Sequence, residues 1–107
     1  MAWEVTLQES VVKDLQWFGR KVGRLLLAEA EALLSVDPLA ETRNLKTLRP
    51  NAVAQRELRL QGKYRVLFNV DEDAQTVTII LVGEKQGNKL IVQGEEFTAH
   101  HESDSAE

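Results

Sequence analysis

The sequence predicts an α+β fold in which two antiparallel helices pack on an antiparallel sheet of about four strands. Two observations carry this prediction. Residues 56–83 alternate between apolar and polar side chains across two short polar gaps, a pattern typical of a three-stranded meander. Residues 10–34 place apolar side chains at helical spacing among strong helix formers, which indicates two helices ahead of the meander.

A short strand and a helix are expected at the start of the chain. Residues 3–7 alternate between apolar and polar side chains, which indicates a strand. Ser10 is a candidate N-cap for the first helix. The side chains of Val11, Leu15 and Phe18 then recur at spacings of four and three, so they share one helical face.

A second helix follows after a break. Gly19 and Gly23 predict that break near residues 20–23, because glycine weakens a helix interior. Residues 25–34 are rich in Leu, Ala and Glu, which favour helix. The helix is expected to end before Pro38, since the residue that precedes a proline avoids the α conformation.

Three strands form the predicted meander, namely residues 56–60, 63–70 and 75–82. The polar gaps between them predict tight hairpin turns. By the alternation, Leu58, Leu60 and Tyr64 are expected to face the core. Arg56 and Arg65 are expected on the opposite, polar face of the sheet.

The end of the chain has less pattern. Residues 84–88 predict a loop with a glycine turn, and residues 89–92 predict either a short further strand or a turn into a helix. We expect residues 1–97 to form a single domain. Residues 98–107 are polar and acidic, which predicts a frayed tail.

Composition limits the possible classes of protein. The chain has 107 residues, 43% of them hydrophobic, and contains no cysteine, which excludes disulfides and thiolate metal sites. No apolar run is long enough to span a membrane, and the N-terminus lacks the pattern of a signal peptide. We therefore expect a cytoplasmic protein with no membrane partner.

Charge is unevenly distributed along the chain. The net charge of −4 and pI of about 5.2 are unusual for a general nucleic-acid binder. Residues 43–65, however, contain seven Lys or Arg residues and one acid, Glu57. From Asp71 onward nine acids face only Lys85 and Lys89. A basic middle segment is therefore available to bind a polyanion.

Four blocks of the sequence stand out, namely ETRNLKTLRP at 41–50, ELRL at 57–60, YRVLFNVD at 64–71 and LVGEK at 81–85. These blocks resemble the RelE/ParE family of bacterial toxins. They occur in the family's order, and the resemblance extends over about residues 3–97. It implies a RelE-like fold and the toxin of a type II toxin–antitoxin system, with a cognate antitoxin protein as partner.

The resemblance does not decide which of two targets the toxin acts on. RelE-type members cleave mRNA on the ribosome without a metal or other cofactor, whereas ParE-type members inhibit DNA gyrase. We expect a ribosome-dependent mRNA endonuclease. The alternative is a member without nuclease activity, which either inhibits gyrase or only binds its antitoxin.

The family pattern also implies site residues. Arg65 and Lys85 match positions that carry catalytic cations in RelE-like nucleases. The lysine positions of the preceding strand fall near Gln55 and Glu57, and the late tyrosine falls at Ile91, so this part of the catalytic set is absent. Residues expected to bind nucleic acid are Arg43, Lys46, Arg49, Arg56, Arg59, Lys63 and Lys89.

Structural roles are the alternative for each of these residues. For Arg65 the alternative is an ion pair with Glu57 or Asp71. His100 and His101 lie in the predicted tail, without a third ligand nearby, so we expect neither a general base nor a metal site there.

Overall fold

The computed structural model describes residues 2–98, so the predicted tail lies outside the described residues except for Thr98. In chain order the elements are β1 (Glu4–Leu7), α1 (Glu9–Trp17), α2 (Arg20–Leu34), β2 (Leu45–Thr47), β3 (Arg56–Leu60), β4 (Tyr64–Asp71), β5 (Thr76–Gln86), β6 (Lys89–Val92) and β7 (Glu95–Phe97).

The strands form one sheet in the order β2-β3-β4-β5-β6-β7, with antiparallel pairing between all neighbours. β1 lies off this path and pairs in parallel with the first residues of β5. The predicted α+β architecture is confirmed, and the sheet has more strands than the four expected. The additional strands β2 and β7 have three residues each and form the two edges of the path.

The two helices cover one face of the sheet. Their buried side chains, including Val11, Leu26 and Leu34, pack against Val66 and Phe68 of β4 in the main hydrophobic core. The prediction that Tyr64 faces this core is confirmed. Neither helix in residues 2–98 has both the length and the apolar character that crossing a membrane requires.

A smaller apolar cluster occupies the opposite face of the sheet. Ala54, Leu67 and Leu81 are its buried members. Leu48 from the segment before β3 and Phe97 from β7 are among the side chains that pack against them. The segment before β3 and the β6–β7 hairpin therefore rise on either side of the sheet's uncovered face.

The break between the helices lies earlier than predicted. Gly19 precedes α2 with φ of +90°, a conformation that favours glycine, and α2 begins at the next residue. Gly23 lies inside α2 and does not interrupt it. A Cβ at this position would lie 2.6 Å from the carbonyl oxygen of Leu15, so glycine allows the two helices to approach closely.

The loop predicted for residues 84–88 is also wrong. β5 continues to Gln86, and residues Glu84, Lys85 and Gln86 pair with β6. The register between β4 and β5 shifts by one residue, because Leu67 pairs with Leu81 whereas Phe68 pairs with Ile79. This bulge bends β5, and the strand can then pair with β1 near its start and with β6 near its end.

Candidate nucleic-acid interface

A groove of about 430 Å³ crosses the face of the sheet that the helices leave uncovered. Its floor is formed by β3, β4 and β5, and its walls are residues 48–51 and the β6–β7 hairpin. We call it the basic groove, because four cations and two carboxylates line it. Its lining residues are Leu48, Arg49, Pro50, Asn51, Glu57, Arg65, Leu67, Lys85, Asn88, Lys89, Leu90, Glu96 and Phe97.

The basic groove brings together the two cations that the sequence predicts to be catalytic. Arg65 on β4 pairs with Gly83 on β5, and Lys85 lies two residues beyond Gly83 on the same strand. Successive side chains of a strand alternate between faces, so Lys85 shares the face of Arg65. The extension of β5 to Gln86, which the sequence did not predict, therefore fixes Lys85 on a strand beside Arg65.

Arg65 is buried and incompletely hydrogen-bonded. Its residue surface is 6% exposed, and Nη1 donates to the carbonyl oxygens of Tyr64 at 3.1 Å and Gly62 at 3.4 Å. Its Nε has no hydrogen-bond partner among the described residues. A buried cation at the floor of a groove is well suited to receive an anion, since an anion supplies the opposite charge that the burial otherwise leaves uncompensated.

Burial lowers the pKa of Arg65 below its ordinary value, while nearby Glu57 raises it and nearby Arg59 lowers it further. The ion pair between Arg65 and Glu57 or Asp71, which the structural alternative requires, is absent from the part of the chain that the structure describes. Glu57 instead accepts from Nε of Arg59 at 3.2 Å. The cation most deeply placed in the groove is therefore not neutralised by a direct carboxylate partner.

Four other predicted cations lie on or near the same face. Arg59 is the cross-strand neighbour of Arg65, and Lys46 on β2 is the cross-strand neighbour of Glu57. Arg49 and Lys89 line the walls of the basic groove. The ammonium of Lys89 lies 3.8 Å from Glu96 at an exposed position, where an ion pair contributes little to stability.

Two predicted cations lie outside the basic groove. Lys63 is the last residue of the β3–β4 turn, and its ammonium lies 3.9 Å from Glu84 and 5.1 Å from the centre of the Tyr64 ring. Arg43 is exposed in the turn that precedes β2. Neither lines the groove, so each could contact only a ligand that extends beyond it.

Arg56 lies on the other face of the sheet, which corrects the expectation that it shares a face with Arg65. Its position two residues before Leu58 directs both side chains to the helix-facing side. There the guanidinium donates to the carbonyl oxygens of Leu39 and Ala40, and Nη2 lies 3.1 Å from Glu41. This arrangement fastens the segment after α2 to the sheet and gives Arg56 no access to the groove.

The structure shows where Glu57 and Ile91 lie, the residues at positions where the family's catalytic residues are missing. Glu57 lies in the basic groove with its side chain 17% exposed. Ile91 is half-buried on β6, between Glu84 and Glu96 on the neighbouring strands. Within residues 2–98 no three His, Cys, Asp or Glu side chains form a group that could hold a metal ion. His100 and His101 lie outside the described residues.

Two residues that shape the walls of the groove, Asn51 and Phe97, were not predicted as part of the site. Asn51 holds the wall that carries Arg49, because its side chain accepts from the amides of Val53 and Ala54 and donates to the carbonyl oxygens of Arg49 and Ala54. The Arg-Pro-Asn turn was a usable signal for this loop, since asparagine commonly bonds to nearby main chain in turns. The opposite wall includes Phe97 on β7, a strand too short to show alternation.

Comparison with known proteins finds similarity among solved structures. The chain is similar to the toxin–antitoxin complex RelBE2 from Mycobacterium tuberculosis, with 26% identity and a TM-score of 0.67 over 79% of this chain and 100% of that chain. It is also similar to the archaeal RelE–RelB complex from Pyrococcus horikoshii OT3, with 24% identity and a TM-score of 0.63 over 82% of this chain and 99% of that chain.

A third similar structure is a mutant of the E. coli toxin RelE in the free state, with 24% identity and a TM-score of 0.61 over 82% of this chain and 88% of that chain. No family model and no curated relative matches the chain. The structural similarities confirm the resemblance to RelE/ParE-family toxins that the sequence indicates, and the chain has the RelE fold.

Proposed function

We propose that this RelE-fold protein is the toxin of a type II toxin–antitoxin system and that it cleaves mRNA on the ribosome without a metal. The observation that carries the proposal is the basic groove, in which the buried Arg65, without a carboxylate partner among the described residues, lies on the strand next to that of Lys85. The structural similarity to a toxin–antitoxin complex supports the toxin part of this proposal.

The proposed reaction uses the RNA's own 2′-hydroxyl as nucleophile. Its oxygen attacks the adjacent phosphorus and loses its proton, the bond from phosphorus to the 5′ oxygen breaks, and that oxygen takes up a proton. The crowded phosphorane between these events carries extra negative charge, which preplaced cations stabilise. Arg65 and Lys85 supply these cations, and Arg49, Arg59, Lys46 and Lys89 contact the flanking phosphates. No residue is assigned as general base.

The proposed protein partner is a cognate antitoxin. Two of the similar structures are complexes of RelE-type toxins with their antitoxins. The sheet of this chain also ends in two short edge strands, β2 and β7. Unpaired edges of this kind can accept an extended segment of another chain.

A second candidate function is a non-nuclease member that inhibits DNA gyrase or only binds its antitoxin. Two specific observations favour it. Glu57 places a carboxylate in the groove, where it opposes the approach of RNA phosphates. The late tyrosine of the family falls near Ile91, whose side chain cannot transfer a proton.

The test is inducible expression of this chain in a bacterial host, with and without the adjacent small reading frame, followed by mapping of mRNA 5′ ends. We expect growth arrest with new 5′ ends inside translated codons, and suppression of both by the neighbouring protein. Arg65→Ala should lower cleavage by about 100- to 1,000-fold, the usual effect of removing one preorganised charge-stabilising donor. Arg24→Ala on the exposed side of α2 is the matched control and should leave cleavage unchanged.

Each other result points to a different function. Growth arrest without new mRNA ends, accompanied by DNA breaks, would identify gyrase as the target. Normal growth with tight binding of the neighbouring protein would identify a member that has lost its toxic activity. Cleavage that persists in the folded Arg65→Ala variant would remove Arg65 from the mechanism.

A further inference from the structure

A buried carboxylate on the first helix contacts the part of the sheet that forms one wall of the basic groove. Asp14 on α1 is 2% exposed. Its Oδ2 accepts from the main-chain amide of Val82 at 3.1 Å, just beyond the bulge in β5. Its Oδ1 accepts from the side-chain amide of Gln93 at 2.6 Å. The mechanism proposed above uses neither Asp14 nor Gln93.

Gln93 and Gly94 form the two-residue turn between β6 and β7. Both have positive φ, +53° and +82°, as the tight hairpin turn that matches strand twist requires. Trp17, at the end of α1, lies against this turn. A Cβ on Gly94 would lie 2.7 Å from Cζ2 of Trp17, so the glycine lets the indole pack on the main chain. Helix α1 therefore holds the turn at two points, by a hydrogen bond and by an aromatic contact.

This turn connects β6 to β7, and the resulting hairpin supplies the wall of the groove opposite residues 48–51. Lys89 and Leu90 on β6 and Glu96 and Phe97 on β7 all line the groove. Outside this turn the hairpin is attached along the short pairing of β6 with the last three residues of β5 and by the packing of Leu90, Val92 and Phe97 on the smaller apolar cluster. An isolated pairing of this length is weak, so the wall depends on further contacts for its position.

We propose that Asp14 is a positioning residue for the basic groove. Through Gln93, Asp14 holds the β6–β7 wall at the distance from residues 48–51 that accepts single-stranded RNA. The role of the wall rests on the proposed function, whereas the attachment of the hairpin to α1 does not. Burial of a carboxylate is unfavourable unless its oxygens are hydrogen-bonded. The carboxylate of Asp14 accepts one hydrogen bond from β5 and one from the turn after β6. It therefore connects the hairpin turn to β5.

The sharpest test is Gln93→Asn with Gln75→Asn as its control. Asparagine tolerates positive φ, so it keeps the turn, but its side chain is one methylene shorter and no longer reaches Asp14. Gln75 has a φ of +57° in the turn between β4 and β5, where its side chain makes no hydrogen bond with the described residues. Both variants place asparagine at a positive φ, but only Gln93→Asn also removes a contact with α1.

Two measurements separate the attachment from its function. Amide hydrogen exchange of Leu90, Ile91 and Val92 should accelerate by about tenfold in Gln93→Asn, because a hydrogen bond to a charged group is lost, and exchange in β3 should not change. Cleavage of mRNA in a reconstituted translation system should fall severalfold in the same variant. Gln75→Asn should match the wild-type chain in both measurements.

The conservative variant Asp14→Asn gives a rescue test. Its amide can still accept from Val82, and the amide of Gln93 can rotate to present its oxygen, so we expect both exchange and cleavage to stay close to those of the wild-type chain. Unchanged hairpin exchange in Gln93→Asn would overturn the attachment. Faster exchange with unchanged cleavage would overturn the positioning role alone. A wild-type chain that cleaves no mRNA would overturn the proposed function, and with it the role of the wall in RNA binding.

Discussion

The two faces of the sheet each bury an arginine, and the surroundings of the two side chains differ. Arg56 faces the helices, where the carbonyl oxygens of Leu39 and Ala40 and the carboxylate of Glu41 receive its guanidinium. Arg65 faces the basic groove, where within residues 2–98 its guanidinium hydrogen-bonds only to carbonyl oxygens of its own strand and of the turn before it. Nε of each lacks a partner among the described residues, so the difference lies in the terminal nitrogens.

The partners of the two arginines distinguish a structural cation from a candidate binding cation on one sheet. Arg56 connects segments about 16 residues apart in sequence, as its bond to the carbonyl of Ala40 shows, and it has a carboxylate partner. Arg65 connects nothing distant, lacks a carboxylate partner within residues 2–98 and has the like charge of Arg59 beside it. A folded chain that keeps such a cation gains little stability from it, which favours a role in binding.

The largest expected contrast is in stability. Arg56→Met should lower the free energy of unfolding by about 2–3 kcal/mol, because it removes charge-assisted hydrogen bonds and leaves buried carbonyl oxygens without donors. Arg65→Met should leave it unchanged or raise it by up to about 1 kcal/mol, since an apolar side chain of similar size replaces a poorly paired buried charge. Urea denaturation of the three chains at neutral pH measures both changes.

Glu41→Gln sharpens this contrast. The Glu41 side chain is 63% exposed, so its ion pair with Arg56 is screened by solvent, and we expect a loss below about 1 kcal/mol. Equal destabilisation by Arg56→Met and Arg65→Met would show that both arginines serve the fold, and the distinction between the two faces would then fail.

The second contrast is in the salt dependence of RNA binding. Binding of a short single-stranded RNA should weaken as salt rises, and Lys85→Ala should reduce the slope of log affinity against log salt by about 0.7, the value for one lost phosphate contact. Arg24→Ala, on the exposed side of α2, should leave the slope unchanged. Equal slopes for the two variants would place the RNA contact elsewhere than the basic groove.

Much of the fold could be predicted from the sequence, because its long elements carry periodic patterns. The alternation of β3 and β4 and the apolar stripe of α1 are confirmed in the main core. β2 and β7 could not be predicted, since a strand of three residues shows no period and the first two residues of β7 are glutamates. Gly23 gave a misleading signal, because glycine serves close helix packing as well as helix breaks.

The candidate site was predictable only in part. The blocks shared with the toxin family indicate Arg65 and Lys85, and the structure brings both into one groove. The misplacement of Arg56 was avoidable, since side chains two residues apart share a face of a strand. Asp14 follows Val11 by three residues and so lies on the buried stripe of α1, but its partner Gln93 is 79 residues away, and no local pattern indicates such a contact.

The smallest expected effect is a dependence on alkaline pH. Burial lowers the pKa of Arg65 in the folded chain, so between the folded and unfolded pKa values the unfolded chain binds more protons. The unfolding free energy of the wild-type chain should therefore rise with pH relative to that of Arg65→Met, because the penalty of burying the cation is present in full below the folded-state pKa and is relieved above it.

The measurement is the difference between the urea midpoints of the two chains as the pH is raised toward the ordinary pKa of arginine, where other groups titrate in both chains and cancel. We expect the urea midpoint of the wild-type chain to rise relative to that of Arg65→Met at the higher pH. A loss relative to the variant would mean that Glu57 stabilises the guanidinium more than burial destabilises it. Arg65 would then resemble Arg56, because a neighbouring carboxylate would stabilise its charge in the folded chain.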